Sequence, residues 1–578
     1  MHKKRYEEWL NNPYFDERTK AELQFIENDE KEIEDRFYRD LEFGTGGLRG
    51  VIGAGTNRMN KYTVRRATQG FADYLLSEVK DAKNKGVVIA YDSRHRSPEF
   101  AEEAALVLSG NGIRVYVFES LRTTPELSFA VRHLGCAGGI VLTASHNPPE
   151  YNGYKVYGED GGQLVPDDAE KVIAEVLKIE DYSKVNYMER SKAVEEGLLH
   201  MIGEGVDRIY IDKVKSLALR TDLVKEIGQD FKIVFTPLHG TGNMPVRRVL
   251  KEIGFDQVFV VPEQEQPDPN FTTVKSPNPE EAAAFELALK QAEEVGADVI
   301  LGTDPDCDRV GVVVKNREGK YEVLTGNQTG ALLVDYVLGA MKEKGTLPAD
   351  GVVIKTIVTS EMGAVIAKSY GMEVMDTLTG FKFIGEKIKE FEQTGDKTFL
   401  FGYEESYGYL AGTFVRDKDA VVASMLICEM AAYYKSKGMT VYDGLISLYE
   451  KHGFFKEGLK SITLKGKDGM EKIEGILNNL RTEIPGSISG IRVKILRDYD
   501  VKKERDILTA EEKDITLPKS NVLHFTLEDG SWFCVRPSGT EPKVKFYFSV
   551  VGNSLEDADM RLNEMMEEVM GIVEPMTK

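Results

Sequence analysis

Short apolar segments alternate with amphipathic, helix-like segments through most of this chain of 578 residues. GVVIAYD at 86–92 is typical of a buried strand, and SRHRSPEF follows, with Ser97 expected to cap a helix and Pro98 at its first position. The helix continues through EEAALVLS, and Gly-Asn-Gly separates it from a second strand, RVYVFES. The same order returns at 231–261 and at 351–375. Such βαβ units with nearly continuous apolar strands indicate buried parallel sheets, so the repetition predicts three related α/β domains.

The two ends of the chain follow other patterns. The first residues are charged with helical spacing, which predicts an N-terminal helical extension. Toward the C-terminus, turns join short strands such as ISGIRVKIL and VKFYFSVVG before a final helix, which is typical of an antiparallel α+β domain. We therefore predict three related α/β domains with mainly parallel or mixed sheets, plus a C-terminal α+β domain. The predicted boundaries are 1–41 for the extension, 42–207, 208–322 and 323–445 for the α/β domains, and 446–578 for the last domain.

Composition limits the location and the partners. The longest apolar stretch, VVASMLICEMAAYY at 421–434, is shorter than the roughly 20 residues that a membrane span needs. The first residues, MHKKRYEEWLNNPYF, lack the apolar core of a signal peptide. Four cysteines without a CxxC pair favour a reducing cytoplasm. A net charge of −21 argues against nucleic acid and anionic membranes, so any anionic substrate needs local clusters of Arg and Lys.

The segment TASHNPPEYNGYK at 143–155 places Ser145 just past a predicted strand. Ligands of open α/β sheets gather at such strand ends, so the serine is a candidate for accepting and donating a group. The G-x-S-x-G turn of acyl-transfer serines is absent. His146 is a poor base for Ser145, because adjacent side chains usually point apart. The alternative is that both side chains only stabilise a turn.

Three carboxylates are crowded into a second loop, GTDPDCDRVG. Asp304, Asp306 and Asp308 lie between two apolar strands, and so much negative charge is unfavourable without a cation. Ligands that are all oxygen favour a hard ion, and Mg²⁺ first. An EF-hand is excluded, because Arg309 and Lys315 stand where Gly and Glu are needed. The alternative is a solvated acidic turn.

Three further loops could bind a phosphorylated, hydroxyl-rich ligand. SWFCVRPSGTEPK offers a guanidinium, hydroxyls and a glycine that lets backbone N–H groups approach a phosphate, without the spacing of a Walker loop. FGTGGLRG is a similar glycine-rich loop that ends in Arg49. In TFLFGYEESYGY, Glu404 and Ser406 follow an apolar strand and could together hold a vicinal diol. Taken alone, SWFCVRPSGTEPK could be an ordinary glycine-containing turn. TFLFGYEESYGY alone could be an acidic loop that faces solvent.

Together these motifs resemble the α-D-phosphohexomutase superfamily over nearly the whole chain. TASHNPPEYNGYK resembles its phosphoserine loop, DPDCDR its metal loop, YEES its sugar-recognition loop and RPSGTEPK its phosphate-binding loop, in the family's order. The N-terminal extension, TGFKFIG and YEESYGY are most similar to the longer branch that contains phosphoglucomutases and phosphopentomutases. The resemblance implies four domains around a central cleft.

The resemblance also implies roles for individual residues. Ser145 would carry a phosphoryl group, and one Mg²⁺ per chain would bind that group together with Asp304, Asp306 and Asp308. Arg49 would add positive charge there. The residues expected to bind substrate are Arg309, Thr379, Gly380, Lys382, Glu404, Ser406, Arg536, Ser538, Gly539 and Thr540.

A general base must also take a proton from the attacking sugar hydroxyl. Lys155 and Lys418 match lysines of the family, and His146 is a weaker candidate. Some relatives have a histidine in the loop corresponding to TGFKFIG, but Phe381 precedes Lys382 here, so Lys418 gains weight. A lysine base needs a lowered pKa, which neighbouring cations could supply.

The expected reaction is the interconversion of glucose 1-phosphate and glucose 6-phosphate through a sugar bisphosphate, with glucose 1,6-bisphosphate as activator. Alternatives within the same chemistry are pentose or mannose phosphates as substrates. Two other classes are a phosphosugar-binding regulator without turnover and a phosphatase. The expected partner is a phosphosugar, with the chain a monomer or weak homo-oligomer.

Overall fold

The fold is described from a computed structural model for residues 2–44, 46–464, 467–538 and 543–577, without the side chains of residues 467 and 468. The chain forms two compact units. The first unit contains residues 1–325, 381–401 and 407–440, and the second contains residues 326–380, 402–406 and 441–578. No helix of the described segments is long and apolar enough to cross a membrane.

The first unit begins with three short helices, as the charged N-terminal pattern predicts. They are α1 (His2–Asn11), α2 (Glu17–Phe25) and α3 (Glu30–Phe37). Asp16 and Asp29 cap α2 and α3 by accepting hydrogen bonds from backbone N–H groups of the first turns. Aromatic side chains on the inner faces, Trp9 and Phe15 among them, pack with Tyr62 in one buried cluster.

The first sheet of this unit is mixed and has six strands. Its strands are β1 (Gly47–Val51), β2 (Val87–Tyr91), β3 (Val115–Phe118), β4 (Gly138–Leu142), β5 (Tyr151–Gly158) and β6 (Leu199–Ile202). They lie in the order β1-β5-β4-β2-β3-β6, in which β4, β2, β3 and β6 are parallel and β5 is antiparallel to both neighbours. The helices between them are α4 (Lys61–Glu78), α5 (Ala82–Lys85), α6 (Ser97–Gly110), α7 (Thr124–Leu134), α8 (Pro166–Leu177) and α9 (Arg190–Glu195).

One local prediction in this region is wrong. Ser97 already belongs to α6, and Arg96 occupies the cap position in a left-handed conformation with φ 68°. The hydroxyl of Ser97 donates instead to the buried carboxylate of Asp92, at 2.9 Å. A tertiary contact therefore takes the side chain that the local pattern assigned to the helix end.

The second sheet of the first unit is also mixed. Its strands are β7 (Lys232–Thr236), β8 (Gln257–Val260), β9 (Val299–Thr303), β10 (Val310–Lys315) and β11 (Tyr321–Leu324), in the order β11-β10-β9-β7-β8. β7 is parallel to β8 and β9, whereas β9, β10 and β11 form antiparallel hairpins. The accompanying helices are α10 (Glu204–Lys215), α11 (Thr221–Ile227), α12 (Asn243–Ile253), α13 (Pro262–Glu265) and α14 (Glu286–Val295).

The second unit contains a parallel strand pair and an antiparallel sheet. Its first elements are α15 (Gly326–Glu343), β12 (Gly351–Thr356), α16 (Met362–Ser369) and β13 (Glu373–Thr377), with β12 parallel to β13. The chain then returns to the first unit for α17 (Phe381–Thr394), and β14 (Thr398–Glu404) spans the division between the units. β15 (Gly408–Ala411) and α18 (Ala420–Ser436) complete the first unit.

The C-terminal part of the second unit is α+β, as predicted. After α19 (Val441–His452), its elements are β16 (Phe454–Thr463), α20 (Lys467–Thr482), β17 (Ser487–Ile488), β18 (Ile491–Asp498), β19 (Lys503–Asp506), β20 (Glu512–Asp514), β21 (Leu523–Leu527), β22 (Trp532–Pro537), β23 (Lys543–Gly552) and α21 (Leu555–Val573). The strands pair in the antiparallel order β16-β23-β22-β21-β18-β19-β20, and β17 pairs with β18. Residues of α20, α21 and the inner strand faces share one apolar core. The predicted fold class is therefore confirmed.

Candidate active site

Ser145 lies just beyond the carboxyl end of β4, where the sequence places a candidate nucleophile. It is buried and adopts a left-handed conformation with φ 51°, which is unfavourable for a residue with a side chain. Its N–H donates to the hydroxyl of Thr143 at 2.8 Å. Surrounding contacts must therefore hold this conformation in place.

The aspartate triplet occupies the hairpin loop between β9 and β10. Asp304, Asp306 and Asp308 are all buried, and one oxygen from each lies within 4.8 Å of the others. One oxygen of Asp306 and one of Asp308 are buried without a hydrogen-bond partner among the described residues. Orphaned carboxylate oxygens at this spacing fit a hard divalent cation, because such ions take oxygen ligands. The residues thus fit the predicted metal.

The serine and the triplet meet directly. The hydroxyl of Ser145 donates to Oδ2 of Asp304 at 2.6 Å. Burial and the charges of Asp306 and Asp308 raise the pKa of Asp304 well above its usual range. Burial also opposes ionisation of Asp306, but the neighbouring Lys155 holds the pKa of that carboxyl below its usual range. The nucleophile candidate therefore lies against a crowded carboxylate cluster that needs positive charge.

Two lysines supply part of that charge. Nζ of Lys155 lies 2.8 Å from Asp306 and 3.5 Å from Asp308, and Nζ of Lys418 lies 3.1 Å from Asp308 and from Asp417. Burial alone would lower the pKa of Lys155, but the two carboxylates raise it above its usual value. For Lys155 the expected lowering of the pKa by neighbouring cations is therefore wrong in direction.

The side chain of His146 also lies elsewhere than the sequence predicts. Its Nδ1 lies 3.2 Å from the hydroxyl oxygen of Ser145, so the adjacent side chains do not point apart. Burial, followed by the charges of Arg309 and Arg49, lowers the pKa of His146 well below its usual value. The imidazole is therefore neutral beside the serine.

The two predicted arginines of the first unit lie around the same loops. Arg49, in β1, donates to the side-chain oxygen of Asn147 at 3.1 Å, which places its guanidinium against the loop of Ser145. Arg309 forms an ion pair of 2.5 Å with Glu280, while its backbone N–H donates to Asp304 at 3.0 Å. Arg309 thus reaches the triplet through its backbone and through its Nε, which lies 3.9 Å from Asp308, while Glu280 shares its charge.

The structure does not bring all predicted site residues together within one unit. Lys382 lies in α17 of the first unit, where burial lowers its pKa to about 8. The residues of the second unit are Thr379, Gly380, Glu404, Ser406, Arg536 and Ser538. Gly539 and Thr540 lie outside the described residues.

Several buried polar residues around these loops were not predicted from the sequence. Thr124, at the start of α7, donates to Asp306 at 3.0 Å. Asp417 accepts from Tyr157 at 2.8 Å and pairs with Lys418. Arg94 donates to backbone carbonyls of the Ser145 loop. The signal available for Arg94 was its place just after β2, but no spacing rule distinguishes it from a surface arginine.

The position of Lys418 also depends on the start of α18. Asp419 caps this helix by accepting from the N–H groups of Val421 and Val422, at 2.9 and 3.0 Å. The hydroxyl of Tyr210 donates to the same carboxylate at 2.9 Å. Burial raises the pKa of Asp419 to about 6.

Four protein-family models match the chain in order. They are described as phosphoglucomutase/phosphomannomutase alpha/beta/alpha domain I at residues 40–183, domain II at residues 208–319, domain III at residues 325–451, and the C-terminal domain at residues 491–564. Together the matches cover well over half of the chain.

Curated relatives align over nearly their whole length. A phosphoglucomutase of Staphylococcus haemolyticus is 40% identical over 525 residues, which cover 90% of this chain and 92% of that protein. A phosphoglucomutase of Staphylococcus aureus (strain MRSA252) is 37% identical over 539 residues, which cover 93% of this chain and 95% of that protein.

Solved structures share the fold. A putative phosphomannomutase from Thermus thermophilus superposes with a TM-score of 0.68 at 24% identity, covering 93% of this chain and 99% of that one. The Paramecium phosphoprotein parafusin, in its open form, gives a TM-score of 0.70 at 18% identity, covering 93% of this chain and 95% of that one. At these identities the likeness shows the fold alone.

We expect Mg²⁺ to stabilise the protein through the aspartate triplet. A ligand at one hundred times its Kd stabilises the state that binds it by about 2.7 kcal/mol. Thermal unfolding with and without Mg²⁺ should show a higher midpoint with the ion, and Asp306→Asn should abolish that increase. Asp417→Asn, a buried aspartate outside the triplet, should retain it. An equal increase in both variants would place the ion elsewhere.

We expect Asp419→Asn to change the pH dependence of stability. Because the pKa of Asp419 is raised from 3.8 to about 6, its ionisation weakens the folded state as pH rises through this window, by about 3 kcal/mol in total. Relative to the wild type, the variant should gain stability between pH 4 and pH 7, measured as the difference between urea midpoints. Asp417→Asn should give a flat difference over that range, because the pKa of Asp417 is lowered. A flat difference for Asp419→Asn would contradict the prediction.

Proposed function

Because the chain belongs to the phosphoglucomutase/phosphomannomutase family, we propose that it is a phosphoglucomutase that interconverts glucose 1-phosphate and glucose 6-phosphate. Relatives at 37–40% identity over most of the chain carry that name. The observation that carries the proposal is the hydroxyl of Ser145, buried and 2.6 Å from an aspartate of the triplet. A serine held against a metal-binding cluster is suited to accepting and returning a phosphoryl group.

In the proposed reaction, Ser145 begins as a phosphoserine. The 6-hydroxyl of glucose 1-phosphate attacks the phosphorus, and the bond between phosphorus and the serine oxygen breaks. The resulting bisphosphate turns over and returns its other phosphoryl group to Ser145. A Mg²⁺ held by Asp304, Asp306 and Asp308 would draw negative charge off the transferring group.

The chain's own cations support that transfer. Lys155 and Lys418 both lie within 3.5 Å of aspartate oxygens of the triplet, next to the loop of Ser145. The charge of Lys155 is placed to stabilise equatorial phosphoryl oxygens as charge spreads in the transition state. Arg49, in β1, donates to Asn147 of the serine loop and adds to this field.

A base must accept the proton of the attacking hydroxyl. Of the three candidates we favour Lys418, because Phe381 precedes Lys382 where some relatives have a histidine, so that loop supplies no histidine base here. Asp306 and Asp308 raise the pKa of Lys155 and hold it protonated. His146 is neutral, but its near nitrogen faces the serine oxygen, so we assign it to orienting Ser145.

Substrate recognition is proposed for the second unit. Glu404 and Ser406 offer a carboxylate and a hydroxyl for the sugar, and Glu405 between them accepts from Thr356 and Thr359 at 3.2 and 3.1 Å. That anchoring supports the loop that carries the two recognition residues. The resemblance assigns the phosphate that is not reacting to Arg536, Ser538, Gly539 and Thr540, and assigns Thr379, Gly380 and Lys382 to the substrate as well.

The remaining assignments follow from composition and chemistry. We propose glucose 1,6-bisphosphate as the compound that first phosphorylates Ser145. Four buried, unpaired cysteines favour the cytoplasm. The net charge of −21 disfavours nucleic acid and anionic membranes as partners. We propose a monomer or weak homo-oligomer.

We expect Ser145→Ala to abolish mutase turnover, because no other described hydroxyl donates to the triplet at so short a distance as 2.6 Å. Turnover of glucose 1-phosphate is measured with a coupled assay for glucose 6-phosphate. Intact mass should show a phosphate increment on the wild type that substrate removes, and no increment on the variant. Ser109→Ala, a buried serine in α6, should keep activity and phosphorylation. Retention of most activity by Ser145→Ala would exclude the phosphoserine mechanism.

We expect glucose 1-phosphate to be the preferred substrate in a panel with mannose 1-phosphate and ribose 1-phosphate. Purified wild-type protein with Mg²⁺ and the matching bisphosphate is assayed for kcat/KM on each. A higher value for mannose or ribose would reassign the substrate within the same chemistry. Steady release of inorganic phosphate would indicate a phosphatase, and binding without turnover a regulator.

A further inference from the structure

The guanidinium of Arg94 is buried beneath the loop that carries Ser145. The side chain has no exposed surface. Its Nη2 donates to the carbonyl oxygens of Ser145 and Asn147, and its Nη1 donates to those of Pro148 and Tyr151, at 2.8 and 3.2 Å. One side chain therefore holds four carbonyls of the segment that begins at the nucleophile.

Arg94 is itself fixed from two sides. Its Nε lies 3.4 Å from the buried carboxylate of Asp92, and the same carboxylate accepts from the backbone N–H of Arg94 at 2.9 Å. The ring of Phe271 lies 5.0 Å from the guanidinium carbon, within the range of a cation–π contact. The rotamer of Arg94 is therefore constrained by charge and by packing.

A second route joins Asp92 to the nucleophile. Oδ2 of Asp92, the oxygen nearest Nε of Arg94, accepts from the hydroxyl of Thr143 at 2.7 Å. The oxygen of that hydroxyl accepts from the N–H of Ser145 at 2.8 Å. Asp92 thus reaches the N–H of Ser145 through Thr143 and its carbonyl through Arg94. Both backbone polar groups of a residue with φ 51° are held by one buried network.

We propose that Arg94 is a positioning residue for the phosphoryl-transfer step, holding Ser145 in its left-handed conformation so that its oxygen faces the aspartate triplet. The proposal rests on the proposed function, since it assigns Arg94 to that reaction. Arg94 makes no contact with the hydroxyl of Ser145 among the described interactions, so it acts through the backbone.

The chemistry of the side chain explains why an arginine stands here. A guanidinium is a planar fork of N–H donors that can serve several carbonyls in fixed directions, whereas an ammonium is a compact point charge on a flexible stem. Arg94→Lys keeps the positive charge but loses the fork. The variant therefore separates positioning from electrostatics.

The experiment compares Arg94→Lys and Arg94→Ala with the wild type. We expect kcat on glucose 1-phosphate to fall about 100-fold in both, as displacement of a reacting group by about 1 Å can cost that much, with little change in KM. Added guanidinium ion should partly restore kcat in Arg94→Ala. Transfer of phosphate from the phosphorylated protein to substrate in a single turnover should slow by the same factor.

Arg58→Lys is the matched control. Arg58 is also buried in the first unit, pairs with Asp35 at 2.5 Å and donates to the carbonyl of Asn57 at 3.1 Å. This change should lower the thermal midpoint without lowering kcat of the folded protein. Normal kcat in the Arg94 variants, or an equal loss of kcat in Arg58→Lys, would overturn the proposal. A wild type without mutase turnover would instead refute the proposed function.

Two variants of Thr143 provide a second test in case the Arg94 variants do not fold. Thr143→Ser retains the hydroxyl that joins Asp92 to the N–H of Ser145, and Thr143→Val removes it with little change of volume. We expect Thr143→Ser to stay close to the wild type, and Thr143→Val to lose kcat with KM nearly unchanged. Equal activity of the two variants would show that this network does not position the serine.

Discussion

The burial of three aspartates in one hairpin loop is the constraint on which the rest of the site depends. Like charges at this distance repel strongly where water is excluded, so the loop is stable only with positive charge nearby. Lys155 and Lys418 supply part of it, and two aspartate oxygens remain without a donor among the described residues. Because the triplet is short of positive charge, it favours binding of a divalent cation. A cation bound there could in turn hold a negatively charged transferring group such as a phosphoryl group.

The sequence predicted those parts of the site whose chemistry lies within one segment. Asp304, Asp306 and Asp308 are crowded in a single loop between apolar strands, so their charge alone indicated a metal. Ser145 was found by its place after a strand. The α/β and α+β patterns were clear because strand and helix periodicity are local properties.

The remaining features could not be predicted, because they arise from contacts between distant segments. Ser97 has a typical capping position, yet its hydroxyl bonds to Asp92. His146 approaches Ser145 because the left-handed backbone at the serine turns the two side chains together, which no residue pattern shows. Lys155 has a raised pKa because the fold places it against carboxylates more than 150 positions away in the chain.

Backbone strain is present in the loops that meet at the triplet. Ser145, Leu238, His239 and Cys307 all have positive φ angles, at 51°, 45°, 61° and 55°. Such conformations cost on the order of 1–3 kcal/mol each and persist only where neighbouring contacts fix them. The loop of His239 is fixed by a close approach, since a Cβ at Gly240 would lie 2.4 Å from Pro305 and the N–H of Thr241 donates to the Pro305 carbonyl. The buried hydrogen bonds around Ser145 and Pro305 therefore offset strain that a flexible loop would release. A site held in this way keeps the serine oxygen and the carboxylates in one arrangement, which in-line transfer requires.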